Sequence, residues 1–197
     1  MKKLAIIIPI ALIALIGVVF LFRQVKPSGD GKDVSISRSG FYFDTVIDIT
    51  LYGTSDESLL DDCFKLCQEE ESRLSNTVED SDVWRINHAG GKPTEVSPQT
   101  GKLIEEALLY SKVTDGLFDI SIAAVSDLWD FEDPNAGLPD TGDIKEGLRH
   151  VDYRKIHVSQ SNDDEEYTYT VKLDDPDMKI TLGGIAKGYI ADELNLC

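Results

Sequence analysis

Near the end of the chain runs KITLGGIAKGYIAD, Lys179 to Asp192, where an apolar stretch gives way to two glycines and then to a helical pattern with a lysine in its first turn. Gly183 and Gly184 carry no side chains, so a ligand can approach the backbone closely. A helix N-terminus adds unpaired N–H groups and the positive end of a dipole. Lys187 adds a full positive charge, and the combination suits a diphosphate. Gly-Gly turns beside an exposed lysine also occur where nothing binds.

Three further stretches carry side chains with chemical potential. In TDGLFDISIAAVSDLWDF, Thr114 to Phe131, Asp119 is placed either to cap a following helix or to accept hydrogen bonds from a flavin ring or ribose. Trp129 and Phe131 either fill a core or stack on an aromatic ring. GFYFDT, Gly40 to Thr45, enters a strand, and SDVWRIN, Ser81 to Asn87, follows Leu74-Ser75. There Arg85 is free to pair with the body's acids and Asn87 to end a turn. No Ser-His-Asp arrangement, Walker A loop or G-x-G-x-x-G is present. The three histidines, His88, His150 and His157, fit no metal spacing. Of the three cysteines, Cys63 and Cys67 lie four apart on an expected helix, where burial in a core accounts for both.

The elements that must hold these stretches read as α+β, because strands and helices occur in runs rather than in regular alternation. Alternation from Val34 to Gly53 predicts one half-buried strand, with Phe41, Phe43, Ile47, Ile49 and Leu51 on one face. Thr54 and Glu57 predict a capping box for the next helix, whose apolar stripe is Leu59, Leu60, Cys63, Phe64, Cys67 and Leu74. A short helical turn is expected from Ser81 to Asn87, closed by Gly90-Gly91. Ser97-Pro98 opens a helix with Leu103, Ile104, Ala107, Leu108 and Ser111 inward, ended by Gly116. Ile120 to Trp129 reads as helix, and 132–140 as loop. Strands are predicted at 155–158, 167–173 and 178–182, and a helix from Ile185 to Leu196. A strand–Gly-Gly–helix unit ordinarily leads into more sheet, so the chain is expected to be cut short at its C-terminus.

At the other end, Lys2 and Lys3 precede an uncharged apolar run from Leu4 to Phe22, and Arg23 follows. About 20 apolar residues span a bilayer. No small-x-small cleavage pattern follows, so 1–26 reads as an uncleaved signal-anchor, 27–34 as a linker and 35–197 as the folded body. No cysteine follows the apolar run, which excludes a lipoprotein anchor. The formal net charge is −17, from 36 acidic and 19 basic side chains. Lys2, Lys3, Arg23 and Lys26 all precede the first acid, Asp30, which leaves 15 basic against 36 acidic side chains beyond it, or −21. A body this acidic repels phosphate backbones and excludes nucleic acid as a partner.

In order from Gly40 to Asp192, the four stretches resemble the ApbE family, the FAD:protein FMN transferases. That family shows an F-x-M-G-T-type lead into a strand, then leucine-serine ahead of an S…R-x-N run. A T-D-G-x-F-D run follows, ending in L-W-(G)-F, and then L-G-G-(I/A)-A-K-G-Y-x-x-D. This chain departs at Phe43-Asp44 (Met-Gly is common), Ile120-Ser121 (Pro-Thr), Asp130 (Gly) and Thr181 (Asp is frequent). It also has no lipobox cysteine. The resemblance implies an ApbE-like, T-fold-like flavin-binding domain, present as its N-terminal portion behind a transmembrane signal-anchor helix. It implies Mg2+-dependent transfer of FMN from FAD to a Thr or Ser hydroxyl of an acceptor protein, with release of AMP. The acceptor class is an electron-transfer or exported flavoprotein, and the domain is expected outside the cell membrane on a single-pass anchor. By position, Phe43, Leu117, Phe118, Asp119, Thr181 and Lys187 are expected to line the FAD site, and Gly184 to offer its carbonyl to the metal. No residue is assigned to the chemical step. Family members continue past the last motif, where acidic and hydroxyl magnesium ligands lie. The alternatives are a flavin-binding extracytoplasmic protein without catalysis and a surface interaction domain.

Overall fold

A computed structural model describes residues 34–195 apart from 131, 132, 134, 164 and 165. The expected signal-anchor, the linker up to residue 33, Phe131 and Cys197 lie outside the described residues.

The alternation from Val34 to Gly53 builds two strands, not one. β1 (Ser35–Tyr42) and β2 (Thr45–Tyr52) pair antiparallel, with Tyr42 opposite Thr45 and Ser35 opposite Tyr52. Phe43 and Asp44 form the two-residue turn, both at positive φ, 53° and 54°. Such hairpin turns favour Asn-Gly, and Phe-Asp gives no such signal, so the break is invisible in the pattern. The turn also resets the faces. Tyr42, Ile47, Ile49 and Leu51 face inward, whereas Phe41 is 66% exposed opposite Val46.

α1 (Ser58–Leu74) packs Leu60, Cys63, Phe64 and Cys67 against the hairpin. The expected capping box does not form. Glu57 is the N-cap without a side-chain bond, and Asp56 Oδ1 instead accepts from the Ser58 N–H at 3.0 Å, being the nearer acceptor. α2 (Asp82–His88) is capped by Ser81 Oγ, which accepts from the Trp84 N–H at 3.0 Å. α3 (Pro98–Val113) is capped by Ser97 and buries Leu103, Ile104, Ala107 and Ser111, as its periodicity requires. Gly116, at φ 79°, follows its end.

The stretch after Asp119 is helical only over α4 (Ala123–Ser126). Residues 119–122 form a turn instead, tied to the 178–182 segment: Thr181 N–H donates to the Ile120 carbonyl at 2.8 Å and Ile122 bridges Lys179 in parallel. α5 (Thr141–Gly147) and single helical turns at Leu148–His150 and Tyr153–Lys155 lead to β4 (Ile156–Asp163) and β5 (Glu166–Leu173). β3 (Thr94–Val96), too short to show a period, completes an antiparallel sheet ordered β3-β5-β4. Residues 178–182, expected as a third strand, alternate in burial but join no ladder beyond that single bridge. α6 is Ala186–Leu194.

The larger core joins α2, α3, β5 and the 178–182 segment through Ile86, Leu103, Ile104, Val171, Met178, Ile180 and Leu182. The smaller lies between the hairpin and α1. α6 contributes Ala186 to the first and Ile190 to the second, so the Gly-Gly turn before it sits at their seam. The architecture is α+β, and among the described residues no helix is long and apolar enough to cross a membrane.

Candidate functional site

The turn is placed by its approach. Met178, Ile180 and Leu182 are buried and point one way, while Lys179 is exposed and Thr181 half-buried on the other. Ile180 N–H donates to Asn87 Oδ1 at 2.8 Å, and Asn87 Nδ2 donates back to the Ile180 carbonyl at 2.9 Å. Gly183 N–H donates to Thr181 Oγ1 at 3.2 Å, and the Ile185 and Ala186 N–H groups turn back to the Leu182 carbonyl at 2.9 and 2.8 Å. Gly183 and Gly184 are thereby left exposed at the start of α6. Among the described residues, no partner is found for the Gly184 N–H or C=O. A Cβ on Gly184 would lie 3.0 Å from Phe118 Cε2, so the ring packs where a side chain would stand.

Leu117, Phe118, Asp119, Thr181 and Gly184 line one cavity of about 450 Å³, with Ile122 and Val151. Leu117 is 93% exposed at its mouth, and Tyr110 packs edge-on to Phe118 with centroids 6.5 Å apart. Asp119 acts as a brace. Its Oδ1 accepts from the Ser121 N–H at 2.8 Å and the Ser121 hydroxyl at 2.6 Å, and Oδ2 accepts from the Tyr153 N–H at 3.0 Å. The bonds to Ser121 close a turn ahead of α4, whose N-cap Ile122 has no side-chain cap bond, so Asp119 does not cap the following helix; Oδ2 keeps one lone-pair direction for a ligand. Beside the cavity, burial pushes the Asp127 carboxyl up, opposed by Lys179 at 3.8 Å.

Phe43 and Lys187 lie on the other side of the turn, in a narrow cleft of about 50 Å³ shared with Gly183, Asp44 and Asn76. Phe43 is fixed by the hairpin tip, its N–H donating to Glu71 Oε1 at 2.6 Å. Lys187 is exposed, and among the described residues it has no carboxylate within ion-pair distance. The Gly-Gly turn is thus a wall between two cavities, with Gly184 facing the larger and Gly183 the smaller. Anionic groups at the turn would meet an unpaired N–H, a helix N-terminus and a lysine.

Trp129 lines neither cavity. Arg85 pairs with Asp82 and donates to the Glu95 carbonyl at 2.8 Å, in keeping with a structural role. Asn87 does more than end a turn, since it grips Ile180; the sequence shows its type but not a partner so far along the chain. His150 Nδ1 comes within 2.9 Å of Asp175 Oδ2, beside Asp177, a grouping that spacing alone does not reveal and that lines neither cavity.

Comparison with known proteins locates this arrangement. The model of the ApbE family matches residues 43–196. A FAD:protein FMN transferase of Treponema pallidum is 32% identical over 136 residues, covering 68% of this chain and 37% of that protein. One from Klebsiella pneumoniae is 33% identical over 159 residues, covering 80% of this chain and 48% of that protein. The crystal structure of an ApbE protein from Thermotoga maritima superposes with a TM-score of 0.69 at 27% identity, over 83% of this chain and 52% of that one. The chain therefore spans about half the length of these relatives, or less. Both cavities and the turn between them fall within the matched residues, and the chain belongs to the ApbE family.

Proposed function

We propose that this chain belongs to a FAD:protein FMN transferase, with FAD held across the Gly183-Gly184 turn. One observation carries the reading. Two stretches far apart in sequence bring Phe118, Asp119, Thr181 and Gly184 to one cavity, and the turn's other side carries Lys187. The apolar, partly aromatic wall suits a flavin ring, and the turn suits the diphosphate.

In the proposed reaction an acceptor Thr or Ser oxygen bonds to the FMN-side phosphorus. The bridging P–O bond breaks, and AMP leaves with the electron pair while the hydroxyl proton is released. Catalysis of this kind rests on positioning and charge neutralisation. The residues described here contribute the free Gly184 N–H, the Lys187 ammonium and the Asp119 brace, which ties the cavity wall to Ser121 and Tyr153. Magnesium supplies further neutralisation in such chemistry. Of its ligands, the described site offers the Gly184 carbonyl and one remaining lone-pair direction on Asp119, whose carboxylate already accepts from three donors. That donor set does not by itself complete a magnesium site.

The same cavity and turn also suit a second reading, flavin binding without transfer. Incubation with FAD, Mg2+ and an acceptor flavoprotein separates the two. AMP release with covalently attached flavin supports transfer, bound FAD without AMP supports the second reading, and no bound FAD ends both. We also place the body outside the cell membrane, anchored by the Leu4–Phe22 run. Protease accessibility on intact cells tests this, and full protection would overturn it.

A further inference from the structure

Asn87, on α2, is 93 residues from Ile180 in sequence and bonded to it twice. One primary amide supplies both a donor and an acceptor, the pair of bonds a neighbouring strand would make to that residue. On the opposite edge of the segment, Thr181 N–H donates to the Ile120 carbonyl at 2.8 Å. The approach to the Gly-Gly turn is therefore gripped at two consecutive residues from two sides, by a main chain and by a side chain.

The platform behind Asn87 is rigid. The buried Asp82 at the start of α2 accepts from the Ser97 N–H at 3.0 Å, the Ser97 hydroxyl at 2.7 Å and the Thr100 hydroxyl at 2.6 Å. Arg85 ties the same helix to the Glu95 carbonyl. These bonds lock α2 to β3 and α3, and Asn87 extends the lock to the turn. We propose that Asn87 is a positioning residue for the diphosphate: it fixes the Gly183-Gly184 backbone so that the free Gly184 N–H, the start of α6 and Lys187 meet the two phosphates together. This rests on the FAD reading of the site.

The test uses the full chain with Asn87→Ala and Asn87→Asp, titrated with FAD and with riboflavin, which has the ring but no phosphate. Asn87→Ala should weaken FAD about tenfold and leave riboflavin unchanged. Asn87→Asp is isosteric. As a carboxylate it opposes the Ile180 carbonyl and should weaken FAD likewise. Protonated, it regains one donor and one acceptor, so its FAD-to-riboflavin preference should recover on acidification relative to wild type at the same pH, and the alanine variant's should not. A scaffold role would lower both ligands equally, and that result, or an unchanged preference in both variants, overturns the proposal. Wild-type protein that prefers neither ligand sinks the diphosphate reading and this inference with it. Wild-type preference retained by the alanine variant sinks Asn87 alone.

Discussion

At the scale of single residues, the site depends on what is missing from Gly184 and what is present at Lys187. An alanine methyl at residue 184 would meet Phe118 Cε2 at 3.0 Å, so the ring must give way into the cavity it lines. Gly184→Ala is expected to weaken FAD binding about tenfold while costing about 1 kcal/mol or less in folding stability, since the neighbour is one ring edge rather than backbone. Flavin fluorescence titration and a urea melt read the two quantities separately. Lys187→Met should lower FAD affinity by a similar factor, leave riboflavin untouched and flatten the local salt dependence. Both positions are legible in sequence, because a glycine pair before a helix and a lysine in its first turn act through local backbone geometry. Asp119 is half legible: its turn bond to Ser121 lies two residues away, whereas its bond to Tyr153 spans 34. Asn87 is legible only as a residue type.

At the scale of elements, the brace at Asp82 ties α2 to β3 and α3, and it should show in the pH dependence of stability. Burial pushes this carboxyl up, but the Thr100 hydroxyl, the Ser97 hydroxyl and N–H, and Arg85 outweigh burial and hold it below the usual range. A depressed folded-state value means that the group stabilises the fold above its unfolded value of about 3.9 and loses that contribution as pH falls through the folded value. Asp82→Asn is therefore expected to cost about 2 kcal/mol at neutral pH and to flatten the acid limb below about pH 4, as measured by urea unfolding across pH. The hairpin turn gives the opposite sign. Asp44 holds φ 54°, a region costly for residues with a Cβ, so Asp44→Gly should raise the melting temperature by a few degrees, from a gain of about 1 kcal/mol. α1, α2, α3 and α6 were legible because their 3.6-residue periods are local, whereas the capping box expected for α1 does not form, the helix expected from Ile120 to Trp129 is only Ala123–Ser126, and α5 was not expected. The hairpin was not, because its turn residues break the usual preference. The 178–182 segment has a strand's alternation, but its partners are a side chain and a short loop, and no periodicity reports who sits beside a strand.

At the scale of the whole molecule, one helix joins two cores while the net charge opposes the ligand. α6 anchors Ala186 in the larger core and Ile190 in the smaller, and Tyr189 between them has its phenol pushed up to about 12 by burial, with the buried Glu70 beside it adding to the shift. The position of the Gly-Gly turn therefore depends on both cores, which a reading by local segments does not show. The charge balance was fully legible, and its consequence is kinetic. A net charge of −17 repels a diphosphate at long range, whereas in the proposed site Lys187 and the start of α6 would attract that of FAD at contact. Screening removes the distant field first, because the Debye length shortens from about 30 Å at about 10 mM salt to about 8 Å at about 150 mM. The association rate of FAD should therefore rise several-fold between those salt concentrations, opposite to the usual behaviour of an anion approaching its cationic site, while riboflavin stays flat. Stopped-flow fluorescence reads this directly. A rate that falls with salt would mean that the field of Lys187 and the turn governs approach despite the surrounding acids. In Lys187→Met the rise should persist from a lower baseline, because the distant field remains while the local attraction is gone.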